Sequence, residues 1–105
     1  MSKYLFTFNY SADASKGLLK EGGTRREKAG RQAVEAMGGT LEAFYFSVGP
    51  HDGYFICNGP DEKWAAHGLT LLRSNGFTAT AVQLLSASDM DEAIKDTVDY
   101  TPPQG

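Results

Sequence analysis

His51 and Asp52 stand side by side in GPHDGYFICNGPD (49–61), followed by Tyr54 and by the single cysteine, Cys57. An imidazole of near-neutral pKa beside a carboxylate is a general-base arrangement, and with Tyr54 the pair makes a candidate catalytic set. The plainer reading is a hairpin turn, because neighbouring turn side chains point apart and a turn Asp usually bonds its own backbone. Cys57 has Ile56 and Asn58 as neighbours. Neither lowers a thiol pKa, so its expected role is a small packed hydrophobe. His51 and His67 lack a third convergent ligand, and the spacing of a zinc site is absent. Neither a metal nor a cofactor is expected.

Two further groups have chemical potential. Gly22-Gly23-Thr24-Arg25-Arg26, with Lys16 and Lys20 upstream, puts backbone N–H groups and cations near a helix start, so Thr24, Arg25 and Arg26 form a candidate anion site. A capped, solvated basic flank is the alternative. Tyr4, Phe6, Phe8 and Tyr45 are by default core or interface rings. If they line a cavity, with His67 at its rim, they suit a flat aromatic or polyketide-like ligand.

The elements that must position these residues follow from periodicity. KYLFTFNY (3–10) alternates Tyr4, Phe6, Phe8 and Tyr10 against Leu5 and Thr7, the two-residue period of a strand. Residues 11–23 read as a short helical turn, with Ser11 or Asp13 as N-cap and Gly22-Gly23 as the stop. Thr24 and Glu27 match a capping box. The helix they open carries a narrow stripe of Ala29, Ala33, Val34 and Met37 and ends at Gly38-Gly39.

TLEAFYFSV (40–48) and GYFICNG (53–59) form a hairpin around Gly49-Pro50-His51-Asp52, with Pro50 at the second position of a type I turn. Asp61 is expected to cap a helix running to about Asn75, with Trp64, Ala65, Leu69 and Leu72 inward and Gly76 at its C-cap. FTATAVQLL (77–85) is a fourth strand. Ser88 and Asp91 suggest a capping box for a last short helix before the extended DYTPPQG tail.

The order β-α-β-β-α-β plus a C-terminal helix is the split βαβ arrangement of a ferredoxin-like α+β fold, an antiparallel sheet with helices on one face. With 105 residues and 41% hydrophobic content, the chain is read as a single domain over 1–105. No apolar run approaches a membrane span and no signal peptide precedes the first strand, so a cytoplasmic protein without membrane contact is expected. The net charge of −3 is polarised, +4 over residues 1–31 and −7 over 32–105. An acidic chain is a poor partner for nucleic acid.

Whichever sheet face the helices take, the other keeps an aromatic or apolar patch that needs a cover. Three covers are available: a second copy packed sheet to sheet as a dimeric α+β barrel, single-stranded RNA on the aromatics, or the chain's own C-terminal segment. RNA is disfavoured because Asp52 and Phe55 stand where an RNA-recognition strand needs a basic and a small residue. The stripe of Met90, Ala93, Ile94 and Val98 is narrow, so partial self-cover is expected. A homodimer or higher homo-oligomer is the expected state.

KYLFTFNYSADASKGLLKEGGTRR, MGGTLEAFYFSVG, PHDGYFICNGPD, LLSASDMDEA and VDYTPPQG together resemble the GYD-domain proteins, a family of small bacterial proteins named for a Gly-Tyr-Asp motif between strands two and three. Carried over by position, the Gly is Gly49 and the Asp is Asp52, with His51 at the aromatic position after Pro50. The resemblance implies a ferredoxin-like fold similar to dimeric α+β barrels, and no assigned activity. Two functions follow: a self-associating module that binds a small molecule or a partner, or a cofactor-independent monooxygenase or isomerase using His51, Asp52 and a buried Tyr. A cavity above ~300 Å³ holding a His or carboxylate points to the enzyme, and a filled interior to the module.

Overall fold

A computed structural model describes residues 2–72, 77–96 and 98–104, and the side chains of 67–77 are outside that description. The elements are β1 (Ser2–Tyr10), α1 (Ala12–Glu21), α2 (Gly23–Ala36), β2 (Thr40–Phe46), β3 (Gly53–Gly59), α3 (Asp61–Leu72), β4 (Phe77–Leu84) and α4 (Ala87–Ile94). The four strands form one fully antiparallel sheet in the order β2-β3-β1-β4, the ferredoxin-like order. Among the described residues, no helix is long and apolar enough to cross a membrane.

The alternation of β1 decides which face meets the helices. Tyr4, Phe6 and Phe8 oppose Cys57, Phe55 and Gly53 on β3, while Leu5 and Thr7 oppose Ile56 and Tyr54 on the other face. The first set is the helix side, where Phe8, Val34, Met37, Leu41 and Cys57 are buried. Phe6 stacks on Phe55 with centroids 4.7 Å apart and planes 10° from parallel, and Phe44 lies nearly parallel to Phe55 as well. Three strands are thereby joined by one aromatic layer.

Several local readings are corrected. Residues 12–21 form a ten-residue helix, not a short turn, and Ser11 Oγ caps it by accepting from Ala14 N–H at 3.1 Å. Gly22, at φ +93°, lets the chain pass directly from α1 into α2. Thr24 therefore lies inside the first turn of α2 with no side-chain cap bond, and Glu27 faces Arg31 at 3.8 Å instead of completing a box. The last capping box is Ser86 with Asp89, two residues ahead of the expected pair, so α4 starts earlier.

Asp61 occupies the first position of α3, where Pro60 carbonyl accepts from Lys63 and Trp64 N–H. Its carboxylate is directed to Tyr4 and not to its own helix. The hairpin closes further out than a Gly49–Asp52 turn would: Ser47 N–H donates to Asp52 carbonyl at 2.9 Å and Ser47 Oγ donates to His51 carbonyl. Among the described residues the C-terminal segment gives no self-cover, since all of α4 and residues 95–96 and 98–104 are exposed. The Leu69, Leu72, Asn75 and Gly76 readings lie outside the described side chains.

Two glycines mark opposite extremes of packing. A Cβ at Gly39 would run into Asn58 carbonyl oxygen and crowd Val34, whereas one at Gly17 meets nothing within 4 Å. Gly39→Ala is expected to destabilise by about 1–3 kcal/mol. Gly17→Ala in mid-α1 is expected to stabilise by about 1 kcal/mol. Urea midpoints moving in these opposite directions are the check.

Candidate functional site

Between the sheet and the helices lies a chamber of about 790 Å³. Its floor is the aromatic face of β1, Tyr4, Phe6, Phe8 and Tyr10, extended by Phe44, Phe55 and the small Ala79 and Ala81 of β4. Much of the roof is small residues, Ala14 and Gly17 from α1 and Ala29, Gly30 and Ala33 from α2, with Leu18 the large apolar side chain of α1 among them. Helices that present small side chains to large rings leave unfilled volume between them, which is why a chamber exists here. Trp64 of α3 closes one side.

Polar groups gather at the two ends of β1. Tyr4 and Tyr10 are six residues apart on one strand face, about 20 Å. At the Tyr4 end the phenol donates to Asp61 Oδ1 at 2.5 Å. That bond, reinforced by Ser2, holds the Asp61 carboxyl below its ordinary range, and Asp61 in turn raises the Tyr4 phenol. At the Tyr10 end, Arg26 and Glu21 line the wall and face each other at 3.6 Å. Burial raises the Tyr10 phenol, with Arg26 opposing and Asp52 adding to the shift. Trp64 Nε1 is a buried donor without a partner in the described structure.

The candidate catalytic set lies elsewhere. His51 and Asp52 sit in the hairpin loop and Tyr54 on the opposite sheet face, so none of the three lines the chamber. His51 Nδ1 and Asp52 N–H both meet Asn9 Oδ1, at 3.3 and 3.0 Å, and the His51 ring stands edge-on to Tyr54 with centroids 5.8 Å apart. Asp52 Oδ2 accepts from Tyr10 N–H at 2.8 Å, and Asp52 N–H donates to Phe8 carbonyl at 2.9 Å. Asp52 thus ties the hairpin to the end of β1. With Thr7, Asn9, Thr78, Ala79 and Thr80, His51 borders only a small cleft of about 70 Å³.

Of the ligand candidates, Tyr4, Phe6 and Phe8 line the chamber, Tyr45 is 69% exposed on the open face, and the His67 side chain lies outside the description. Of the anion candidates, only Arg26 reaches the chamber; Thr24 and Arg25 are exposed. Cys57 is fully buried, and that burial pushes its thiol up to about 12, with Glu42 adding to the shift. Among the described residues, no three His, Cys, Asp or Glu side chains converge to hold a metal ion. The sequence marks Asp61 only as a helix cap and Trp64 only as an inward-facing helix residue. A Tyr at each end of an aromatic strand and an Asp opening a helix were the available signals.

The open sheet face has a different composition. Leu5, Ala43, Tyr45, Tyr54, Ile56 and Val82 form its centre. At one end Glu42 takes a hydrogen bond from Asn58 and pairs with Lys3 at 3.1 Å.

An all-antiparallel ferredoxin-like sheet with a chamber under its helices and an open back face defines an α+β domain. Residues 4–94 match the model of the GYD domain family, and the chain belongs to that family. No curated protein and no solved structure matches it.

Two tests address these groups. Cys57 is expected to resist alkylation in the native protein and to react fully once unfolded; rapid stoichiometric labelling of folded protein contradicts its burial. Because the folded Asp61 pKa is depressed, its contribution to stability is complete above its unfolded pKa of about 4 and is lost as pH falls through the folded value. Tyr4→Phe should raise the Asp61 pKa toward the ordinary range, seen by NMR titration of that carboxyl, and flatten this part of the acid-unfolding profile.

Proposed function

We propose that the protein is a self-associating small-molecule-binding module of the cytoplasm, which holds a flat apolar molecule in the chamber and pairs with a second copy through the open sheet face. The carrying observation is the chamber itself, about 790 Å³ with an aromatic floor. The chamber is partly open to solvent, its lining is largely apolar, and aromatic walls favour a planar guest.

The size and the carboxylates of the chamber meet the criterion for an enzyme, but its acid–base chemistry supports binding. A carboxylate held below its ordinary pKa is a weaker base, and a raised phenol is a weaker acid. His51 is outside the chamber and the Cys57 thiol stays protonated. The open face supports pairing because it has an apolar centre and a polar edge, the composition of an interface. A free, buried thiol suits a reducing compartment.

Trp64 is the single tryptophan and lines the chamber, so its fluorescence reports occupancy. Titration with naphthol, a hydroxyanthraquinone and a flavonol is expected to change that signal saturably for at least one of them. Gly17→Phe, which places a ring where a Cβ finds open space, should weaken that binding at least about tenfold, or 1.4 kcal/mol, while the circular dichroism is kept. Absence of any saturable change, or equal affinity in the variant, counts against the chamber as a binding site. Sheet pairing is read separately: Tyr45→Glu should lower the mass in sedimentation.

A further inference from the structure

Among the described residues, α4 is a finished helix with no surface beneath it. Its N-terminus has a reciprocal capping box, Ser86 Oγ accepting from Asp89 N–H at 3.0 Å and Asp89 Oδ2 accepting from Ser86 N–H at 2.9 Å, yet none of its eight residues is buried. A helix this short does not hold itself together in water; helices in proteins are stabilised by packing of an apolar face. Such a face is present. Ala87, Met90, Ala93 and Ile94 share one side at helical spacing, with Asp91 and Asp89 flanking it.

Met90 is 50% exposed and Ile94 65%, and Val98 beyond the helix reaches 86%. The Cα radius of gyration is 17.3 Å and the longest dimension 55 Å. A compact chain of this length has a radius near about 13 Å, so a segment stands off the body.

Charge indicates what covers it. Residues 86–100 carry five acids and one lysine. The basic surface of the chain is on α1 and α2, where Lys16, Lys20, Arg25 and Lys28 are exposed and take part in no ion pair among the described residues. On α1, Lys16 and Lys20 lie to one side of Leu19, which is 86% exposed; of the acids of this helix, Glu21 is taken up by Arg26, and Asp13 is exposed one turn before Lys16. Leu19 with two lysines to one side is the counterpart of Met90 and Ile94 with Asp89 and Asp91 beside them.

We propose that the arm formed by α4 and the following residues docks on the α1 surface of a second copy, Met90 and Ile94 against Leu19 and the arm's acids against Lys16 and Lys20. The complementary surface is on the chain itself, so two copies can exchange arms and close a two-fold dimer. This contact is separate from pairing of the open sheet faces and does not require it.

The test is sedimentation equilibrium at low and high ionic strength, on the full chain, on a chain ending at Leu85 and on charge variants. Screening weakens exposed ion pairs, so association of the full chain should fall with salt, and truncation should remove that salt-dependent part while circular dichroism keeps the sheet signal. The double substitution Lys16→Glu with Lys20→Glu should weaken association about tenfold, and adding Asp91→Lys with Asp96→Lys should restore it. Tyr45→Glu should leave the salt-dependent part in place, which separates this contact from the sheet pairing. A chain monomeric at both ionic strengths, an association unchanged by truncation, or charge variants that are not rescued overturns the proposal. Docking of the arm on its own copy would appear as salt-dependent exposure of Met90 in a monomer, and would overturn it as well.

Discussion

The near-parallel rings of Phe6, Phe55 and Phe44 bind three strands in one register, and most of the remaining architecture follows from that layer. A one-residue slip of β1 against β3 would place Leu5 and Thr7 under the helices and turn the rings outward. The burial of Phe8, Leu41 and Cys57 depends on the same choice of face. It also makes Gly53 and Gly59 necessary: a Cβ at Gly53 would collide with the Phe8 ring, and one at Gly59 with the Trp64 indole. Large rings on β1 and α3 are accommodated by missing side chains on β3.

That size compensation is incomplete on the helix side. Glycines and alanines of α1 and α2 stand above the rings without filling the space, and Val34 and Met37 reach the core only near the end of α2. The result is a core that is dense beside Leu41 and Cys57 and hollow beside Tyr10 and Gly17. An occupant of the chamber would add to the stability of the domain by mass action.

The strand order, helix positions and family were legible because each rests on a local pattern: two-residue alternation in 3–10, a glycine pair after Met37, a turn between two β-branched or aromatic runs. What failed were choices between adjacent candidates of equal local merit. Thr24 and Ser88 are as good N-caps as their rivals by residue type, and tertiary geometry decided against them through the Gly22 bend and the end of β4. The chamber was less legible still. Its floor could be read as a stripe, but the pairing of Tyr4 with Asp61, 57 positions apart, depends on α3 starting beside the first residues of β1. Alternation also left open which face of β1 is covered, since Leu5 and Tyr4 are both apolar enough to bury.

Asp52 connects the β2–β3 hairpin to this arrangement. Its backbone continues the β3 ladder to Phe8, its carboxylate holds Tyr10 N–H, and Asn9 supplies the acceptor that joins His51 to the same point. A carboxylate occupied in this way acts as an extra rung at the end of β1. Tyr10 is the last residue of that strand and lines the Arg26 end of the chamber, so fixing its backbone fixes where the chamber ends. The ring of His51, the residue before Asp52, leans on Tyr54 of the open face. The loop therefore couples both sides of the sheet: the Asp sets the chamber wall on one side, and the residue before it sets the edge of the exposed apolar surface on the other. A change at Asp52 would be felt first in the placement of Tyr10, and only through it in the chamber.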